Sequence, residues 1–114
     1  MSSKIKSILE EYVNGLSKML GNALKQVILY GSYARGEQNQ NGEHSDIDIM
    51  ILVDLSEEEI KAVEKNIFDY TFDMDLKYNL LFSPIVESVE SYKQRQTFIP
   101  FYKNVCTEGV VING

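Results

Sequence analysis

A strand that ends in glycine, followed by a strand that begins with two aspartates, constrains this chain more than any other feature. The first strand is predicted over residues 24–30 and ends at Gly31, and the second is predicted over residues 46–53. Side chains alternate between the faces of a strand, so Asp46 and Asp48 emerge on the same face, roughly 6–7 Å apart along the backbone. Carboxylates this close repel each other, and a divalent cation usually relieves the repulsion.

A tight turn and a polar loop connect these two strands. Gly31 reaches backbone angles that are closed to other residues, and we expect Ser32 to cap a short helix that extends through Arg35. Residues 38–45 contain no apolar side chain, which indicates a surface loop. We expect this loop to let the second strand return beside the first.

The remaining segments alternate between helical and extended patterns. A helical face with Ile5, Ile8, Leu9 and Tyr12 runs to Leu20, where Gly21 is a suitable terminating residue. A capping box at Ser56 and Glu59 starts a helix predicted to end near Thr71. Further elements are predicted as an extended segment over 76–86 with an edge position at Pro84, helices over 88–97 and 101–107, and a final extended piece over 110–112.

The pattern predicts an α+β fold with a small mixed β-sheet and helices packed mainly on one face. The opposite face is expected to expose Asp46 and Asp48 beside the Gly31–Ser32 turn. At 114 residues, the chain has the size of a single domain, which we assign to residues 1–114.

The net charge of −6 disfavours direct nucleic-acid binding, which depends on clusters of lysine and arginine. It does not exclude a mononucleotide that arrives with its own Mg²⁺. Cys106 is the only cysteine, and we expect an inert, partly buried thiol in a cytoplasmic protein rather than a nucleophile. No stretch is long and apolar enough to predict a membrane span, and no signal peptide is expected at the start.

The chain resembles the nucleotidyltransferase superfamily that includes DNA polymerase β, and within it the minimal nucleotidyltransferase (MNT) proteins. Six residues carry the match: Gly31, Ser32, Ala34, Gly36, Asp46 and Asp48. The similarity extends more loosely through residues 83–86 and 100–109. It implies a fold like the palm of polymerase β.

The resemblance also implies roles for the residues of the motif. Gly31, Ser32 and Gly36, with Arg35 as a possible cation, would bind the phosphates of ATP or another nucleoside triphosphate. Asp46 and Asp48 would be the catalytic carboxylates and would bind one or two Mg²⁺ ions. Arg35 could equally project into solvent.

One position departs from the family pattern, which usually supplies a third carboxylate from a later strand. We place that position at Asn79, whose amide cannot accept a proton at neutral pH. Asp75 or Asp73 could substitute, although carboxylates that cap a helix end are the commoner explanation. The single histidine, His44, is expected to be solvated.

Two functions remain open at this point. The resemblance implies an enzyme that transfers AMP to a hydroxyl on a partner protein, such as a tyrosine of a helical HEPN toxin. The alternative is a catalytically weak or inactive antitoxin that binds nucleotide and masks its partner by contact. A drug-modifying nucleotidyltransferase is disfavoured, since such enzymes normally have an additional domain. A homo-oligomer is possible in each case.

Overall fold

The computed structural model describes residues 2–36 and 46–113, which form five α-helices and four β-strands. The helices are α1 (Ser3–Leu20), α2 (Ser32–Arg35), α3 (Glu57–Tyr78), α4 (Val89–Arg95) and α5 (Pro100–Glu108). The strands are β1 (Leu24–Tyr30), β2 (Ile47–Val53), β3 (Phe82–Ser88) and β4 (Val110–Asn113). The predicted loop with His44 lies outside the described residues.

The four strands form one mixed sheet in the order β3–β2–β1–β4. Strand β1 is antiparallel to both β2 and β4, whereas β2 and β3 are parallel and are connected through α3. Strand β3 therefore lies at an edge, as Pro84 predicts. The mixed α+β architecture is confirmed.

The two faces of β2 pack against different helices. Ile47, Ile49 and Ile51 belong to the main core with α1 and α3. Met50 and Leu52 point to the other face, where they pack with Tyr92 of α4 and Val105 of α5. The face that carries Asp48 is thus partly covered by two short helices, whereas the two long helices both pack on the opposite face.

Aromatic side chains join α1, α3 and β3 in the main core. The ring of Tyr12 stacks on Phe82 at 4.8 Å and on Tyr70 at 5.5 Å between centroids. Gly15 leaves the space that Tyr70 fills, because a Cβ there would overlap the phenol ring. The hydroxyl of Tyr70 donates to the backbone carbonyl of Glu11 at 3.0 Å, which ties the two long helices together.

The predicted end of the third helix at Thr71 is wrong, and so is the start of the following extended segment at residue 76. Helix α3 continues to Tyr78, and β3 begins only at Phe82. Thr71 and Met74 are buried in the main core region. Their packing stabilises helical structure beyond the residue at which local propensity alone would end the helix. Asn79 closes α3 in the left-handed conformation at φ 53° and is not part of a strand.

Smaller predictions had mixed outcomes. The Ser56–Glu59 capping box is confirmed, and so is the helix predicted over 101–107, which begins at Pro100 in the structure. Gly31, rather than Ser32, occupies the N-cap of α2, so the predicted Ser32 cap is wrong. The thiol of Cys106 is exposed instead of partly buried. Among the described residues, no helix has the length and hydropathy needed to cross a membrane.

Candidate functional site

The turn at the end of β1 lies directly against the second aspartate of β2. Tyr30 pairs with Asp48 across the antiparallel strands, and Gly31 follows with a φ of +74°. A Cβ at residue 31 would overlap the Oδ2 atom of Asp48 and would lie 3.2 Å from its Cγ. Only glycine combines this backbone conformation with such a close approach, so the turn and the carboxylate form one structural unit.

A cleft of about 240 Å³ opens beside this contact. Gly31, Arg35 and Asp48 line one side of it. The other side is α5, whose lining residues follow the spacing i, i+3, i+4 and i+7 and are Phe101, Asn104, Val105 and Glu108. The cleft therefore brings together one end of the sheet, the short helix α2 and one face of α5.

Burial and nearby negative charge raise the pKa values of two groups in the cleft. Partial burial raises the pKa of the Asp48 carboxyl, the charge of Asp46 raises it further, and Arg35 opposes the shift. Burial and the nearby Asp48 charge raise the pKa of Tyr30 to about 12, so its phenol is neutral at physiological pH. Arg35 thus offsets only part of the effect that burial and Asp46 have on the pKa of Asp48.

Arg35 connects the two walls of the cleft. Its guanidinium lies 3.5 Å from the carboxylate of Glu108, so α2 and α5 face each other through an ion pair. Both side chains are about half exposed, at 45% and 50%, and an ion pair of this kind contributes little to folding stability. The ion pair instead holds the Arg35 guanidinium at the rim of the cleft, where its positive charge opposes the rise in the pKa of Asp48.

The donor set of the site fits a hard divalent cation. Mg²⁺ is usually bound by one or two protein carboxylates, with phosphate oxygens and water in its other positions. Asp46 and Asp48 are near enough for the charge of one to shift the pKa of the other. Within residues 2–36 and 46–113, no group of three or more His, Cys, Asp or Glu side chains could hold a metal ion.

The predicted position of the third carboxylate, Asn79, is wrong, because Asn79 caps α3 before β3 begins. Ser83 pairs with Asp48 in the parallel register, and Leu81 therefore lies level with Asp46. Neither residue is acidic. The nearest alternative, Asp75, accepts a hydrogen bond of 2.8 Å from the backbone N–H of Phe82, and burial and Asp46 raise its pKa.

The structure brings together some of the predicted site residues. Gly31, Arg35 and Asp48 line the cleft, and Asp46 is exposed at the start of β2. Ser32 and Gly36 are the first residue of α2 and its left-handed C-cap, and they lie outside the residues that line this cleft.

Sequence reasoning missed the contributions of Tyr30 and of α5. Tyr30 is simply the last residue of its strand, and its position opposite Asp48 depends on the register. The helical spacing from Phe101 through Asn104 to Glu108 was visible, but nothing in the sequence indicated that this face turns toward Asp48.

Comparison with known proteins shows similarity over most of the chain. A family model described as a nucleotidyltransferase domain matches residues 6–110. Two proteins of Methanocaldococcus jannaschii, each named as a putative protein adenylyltransferase, are similar in sequence. One is 36% identical over 108 residues, which cover 91% of this chain and 93% of that protein. The other is 37% identical over 83 residues, which cover 73% and 79%.

Two crystal structures share the fold, each with a TM-score of 0.54. One is of a mutant of the toxin–antitoxin MntA–HpeT, with 19% sequence identity. The other is of a toxin–antitoxin with AMP-PNP, with 21% identity. In both comparisons the match covers 92% of this chain and 73% of the other.

Proposed function

This chain belongs to the nucleotidyltransferase domain family, and on that premise we propose that it transfers AMP from ATP to a hydroxyl group of a partner protein. The observation that carries the proposal is the contact between the Gly31 backbone and the Asp48 carboxylate, at the mouth of a cleft that also contains Arg35. This arrangement joins a phosphate-binding turn to a pair of carboxylates, which are the two parts that phosphoryl-type transfer requires.

The turn and Arg35 are assigned to the phosphates of the nucleotide. The first N–H groups of a helix have no acceptor within the helix, so those at the start of α2 can donate to phosphate oxygens. The Ser32 hydroxyl can add a donor there. Arg35, held at the rim by Glu108, can neutralise the charge of the departing pyrophosphate.

Asp46 and Asp48 are assigned to Mg²⁺. Their mutual repulsion and the raised pKa of Asp48 fit a site that gains stability when a cation binds. Asp46 and Asp48 would hold Mg²⁺, which would supply positive charge against the negative charge that develops on the leaving group. The protein groups orient the nucleotide so that the acceptor hydroxyl can attack the α-phosphate.

The names of related proteins support a protein acceptor. Both relatives from Methanocaldococcus jannaschii are named as protein adenylyltransferases, and the solved structures are toxin–antitoxin complexes. We therefore assign the acceptor to a toxin-like partner, with a helical HEPN-type protein as the expected class. The negative charge of the domain agrees with a partner that carries a basic surface.

The test is incubation of the full chain with α-labelled ATP, Mg²⁺ and the co-purified product of the neighbouring gene. We expect label on the partner with wild type, and loss of label with Asp48→Asn or with EDTA. Asp54→Asn, an exposed carboxylate just after β2, is the matched control and should retain transfer. Equal labelling by wild type and Asp48→Asn would overturn the proposal.

A second candidate function is an antitoxin that binds nucleotide but acts by contact alone. It is favoured by Leu81 and Ser83, which stand beside the aspartates where a third acid would be expected. In that case the chain would form a tight complex with its partner, and Asp48→Asn would leave both the complex and the inhibition of the partner unchanged. The same labelling experiment separates the two functions.

A further inference from the structure

Helix α3 carries a second apolar stripe that faces solvent. Its inward stripe of Ile60, Ile67 and Met74 belongs to the main core. On the opposite side, Phe68, Phe72 and Leu76 recur at intervals of four residues, with exposed fractions of 43%, 61% and 67%. We call these three residues the α3 ridge, and they extend over roughly 12 Å of the helix surface.

The α3 ridge has the form of a helix-docking surface. Side chains spaced by four residues form a ridge that packs into the groove between the ridges of another helix. Two aromatic rings and a leucine in line are also the kind of anchor that dominates binding at interfaces. Single exposed apolar residues need no explanation, but three in register on one helix do.

The charges around the α3 ridge identify the kind of partner. Residues 64–76 contain four carboxylates and one lysine, a net charge of −3, which is half of the net charge of the chain. At 3.6 residues per turn, Asp69 and Asp73 fall on one side of the ridge, and Glu64 and Asp75 fall on the other. The apolar stripe is therefore bordered mainly by acidic side chains, of which Asp69 forms an ion pair with Lys65 at 2.7 Å and Asp75 accepts from the backbone of Phe82.

This acidic border disfavours a second copy of the chain as the occupant. Two copies that met through the ridge would bring like charges together, which opposes association. A helix whose apolar stripe is bordered by lysine or arginine would instead bury the ridge and neutralise its flanks. The charge pattern thus favours a basic, amphipathic helix of another protein.

The C-terminal end of the ridge lies close to the catalytic carboxylates. Leu76 follows Asp75, which accepts the 2.8 Å hydrogen bond from the backbone of Phe82. Phe82 pairs with Ile47 in the sheet, and Ile47 follows Asp46. A partner seated along the ridge would therefore reach the edge of the sheet at which Asp46 and Asp48 emerge.

We propose that the α3 ridge is the docking surface for a partner protein that presents an amphipathic helix with lysine or arginine along its apolar stripe. A partner bound there would have a hydroxyl-bearing segment within reach of Asp46. This last step rests on the proposed function, whereas the docking itself does not.

The test uses a labelled helical peptide of leucine and lysine, in which leucines at four-residue spacing are flanked by lysines. We expect fluorescence anisotropy to show binding to the full chain. Combined substitution Phe72→Ala and Leu76→Ala should weaken the affinity at least 10-fold. Phe98→Ala is the matched control, because Phe98 is 68% exposed between α4 and α5 and should leave the affinity unchanged. A peptide with glutamate in place of lysine should not bind.

Three outcomes would overturn the docking proposal. These are an affinity that the α3 substitutions leave unchanged, an equal loss with Phe98→Ala, and equal binding of the glutamate peptide. A mass that doubles with concentration in light scattering, and no longer does so after Phe72→Ala, would assign the ridge to self-association instead. Asp48→Asn should bind the lysine peptide like wild type, so failure of transfer and failure of docking are distinguishable.

Discussion

The backbone of Gly31 and the carboxylate of Asp48 are packed so closely that no side chain fits between them. The contact joins the end of β1 to the start of β2, and it fixes the orientation of both groups toward the cleft. The geometry of the site therefore depends on one residue that has no functional group of its own.

Substitution Gly31→Ala should disrupt this contact. We expect a loss of stability of at least about 1 kcal/mol, because alanine is strained at positive φ and its Cβ would displace Asp48. Binding of a fluorescent ATP analogue with Mg²⁺ should be lost. Gly21→Ala is the control: Gly21 has a φ of +55° but an open surrounding, so it should show the strain without the loss of binding. Equal nucleotide affinity in both variants would contradict the assignment.

The raised pKa of Asp48 has a consequence for stability as a function of pH. The native state holds this proton more tightly than the unfolded state, so stability falls as pH rises above the pKa of an unfolded aspartate, about 4. Without Mg²⁺, Asp48→Asn should therefore stabilise the protein at pH 7, by less than about 1 kcal/mol because the group is partly solvated.

This gain should disappear when unfolding in urea is measured below about pH 4, where aspartate is protonated in both states. Asp54→Asn should show no such gain at pH 7. Addition of Mg²⁺ should raise the stability of wild type more than that of Asp48→Asn. A destabilised Asp48→Asn variant at pH 7 would contradict the electrostatic account.

Glu87 and Arg95 anchor the helices that cover the cleft side of the sheet. The Glu87 side chain is only 9% exposed and accepts from Arg95 at 2.7 Å and from the Tyr102 hydroxyl at 3.0 Å. Arg95→Met should destabilise the protein by about 1–2 kcal/mol, since a buried carboxylate loses its cation while Arg95 itself is 42% exposed.

A double-mutant cycle measured in urea provides the check on this pair. Glu87→Gln combined with Arg95→Met should cost less than the sum of the two single changes, because no uncompensated charge remains. Additive effects would show that the ion pair does not couple β3 to α4.

The hydrogen bond between Tyr12 and Thr71 should respond differently to the removal of each partner. The two hydroxyls are buried and 2.8 Å apart, and Thr71 also donates to the carbonyl of Ile67 at 2.7 Å. Tyr12→Phe leaves Thr71 with its carbonyl acceptor and should cost about 1 kcal/mol. Thr71→Val leaves the Tyr12 hydroxyl buried without that partner and should cost about 1–3 kcal/mol. Equal losses in thermal unfolding would argue against this asymmetry.

Periodicity and capping predicted most elements, because each of those signals is local. Alternating isoleucines from Ile47 to Ile51 predicted both faces of β2, and Ser56 with Glu59 predicted where α3 begins. The end of α3 was missed because Thr71 and Phe72 disfavour a helix locally, whereas burial of Thr71 and Met74 against the core sustains it. A tertiary contact therefore determines where α3 ends, and no local sequence pattern indicates this contact.

The residues of the candidate site were predictable only where a local sequence pattern marks them. The motif supplied Gly31, Asp46 and Asp48, and the alternation of side chains along a strand predicted that the two aspartates share one face. The third position could not be assigned without the register between β2 and β3, since an error of a few residues in the start of β3 moved it to Asn79. The second wall of the cleft depends on how α5 packs, which the sequence does not encode in a short pattern.

The register between β2 and β3 makes Leu81 the most direct place to complete the carboxylate set. Adjacent strands lie about 4.8 Å apart, and Leu81 is level with Asp46, on the same side as Ser83 and Asp48. Its side chain is 57% exposed, so Leu81→Asp should not disturb the core. We expect tighter Mg²⁺ binding by about 10-fold in calorimetry, and a lower melting temperature without Mg²⁺ because three carboxylates repel. Leu81→Asn, which adds a polar group without charge, should do neither; if both variants bind Mg²⁺ like wild type, Asp46 and Leu81 do not share a metal site.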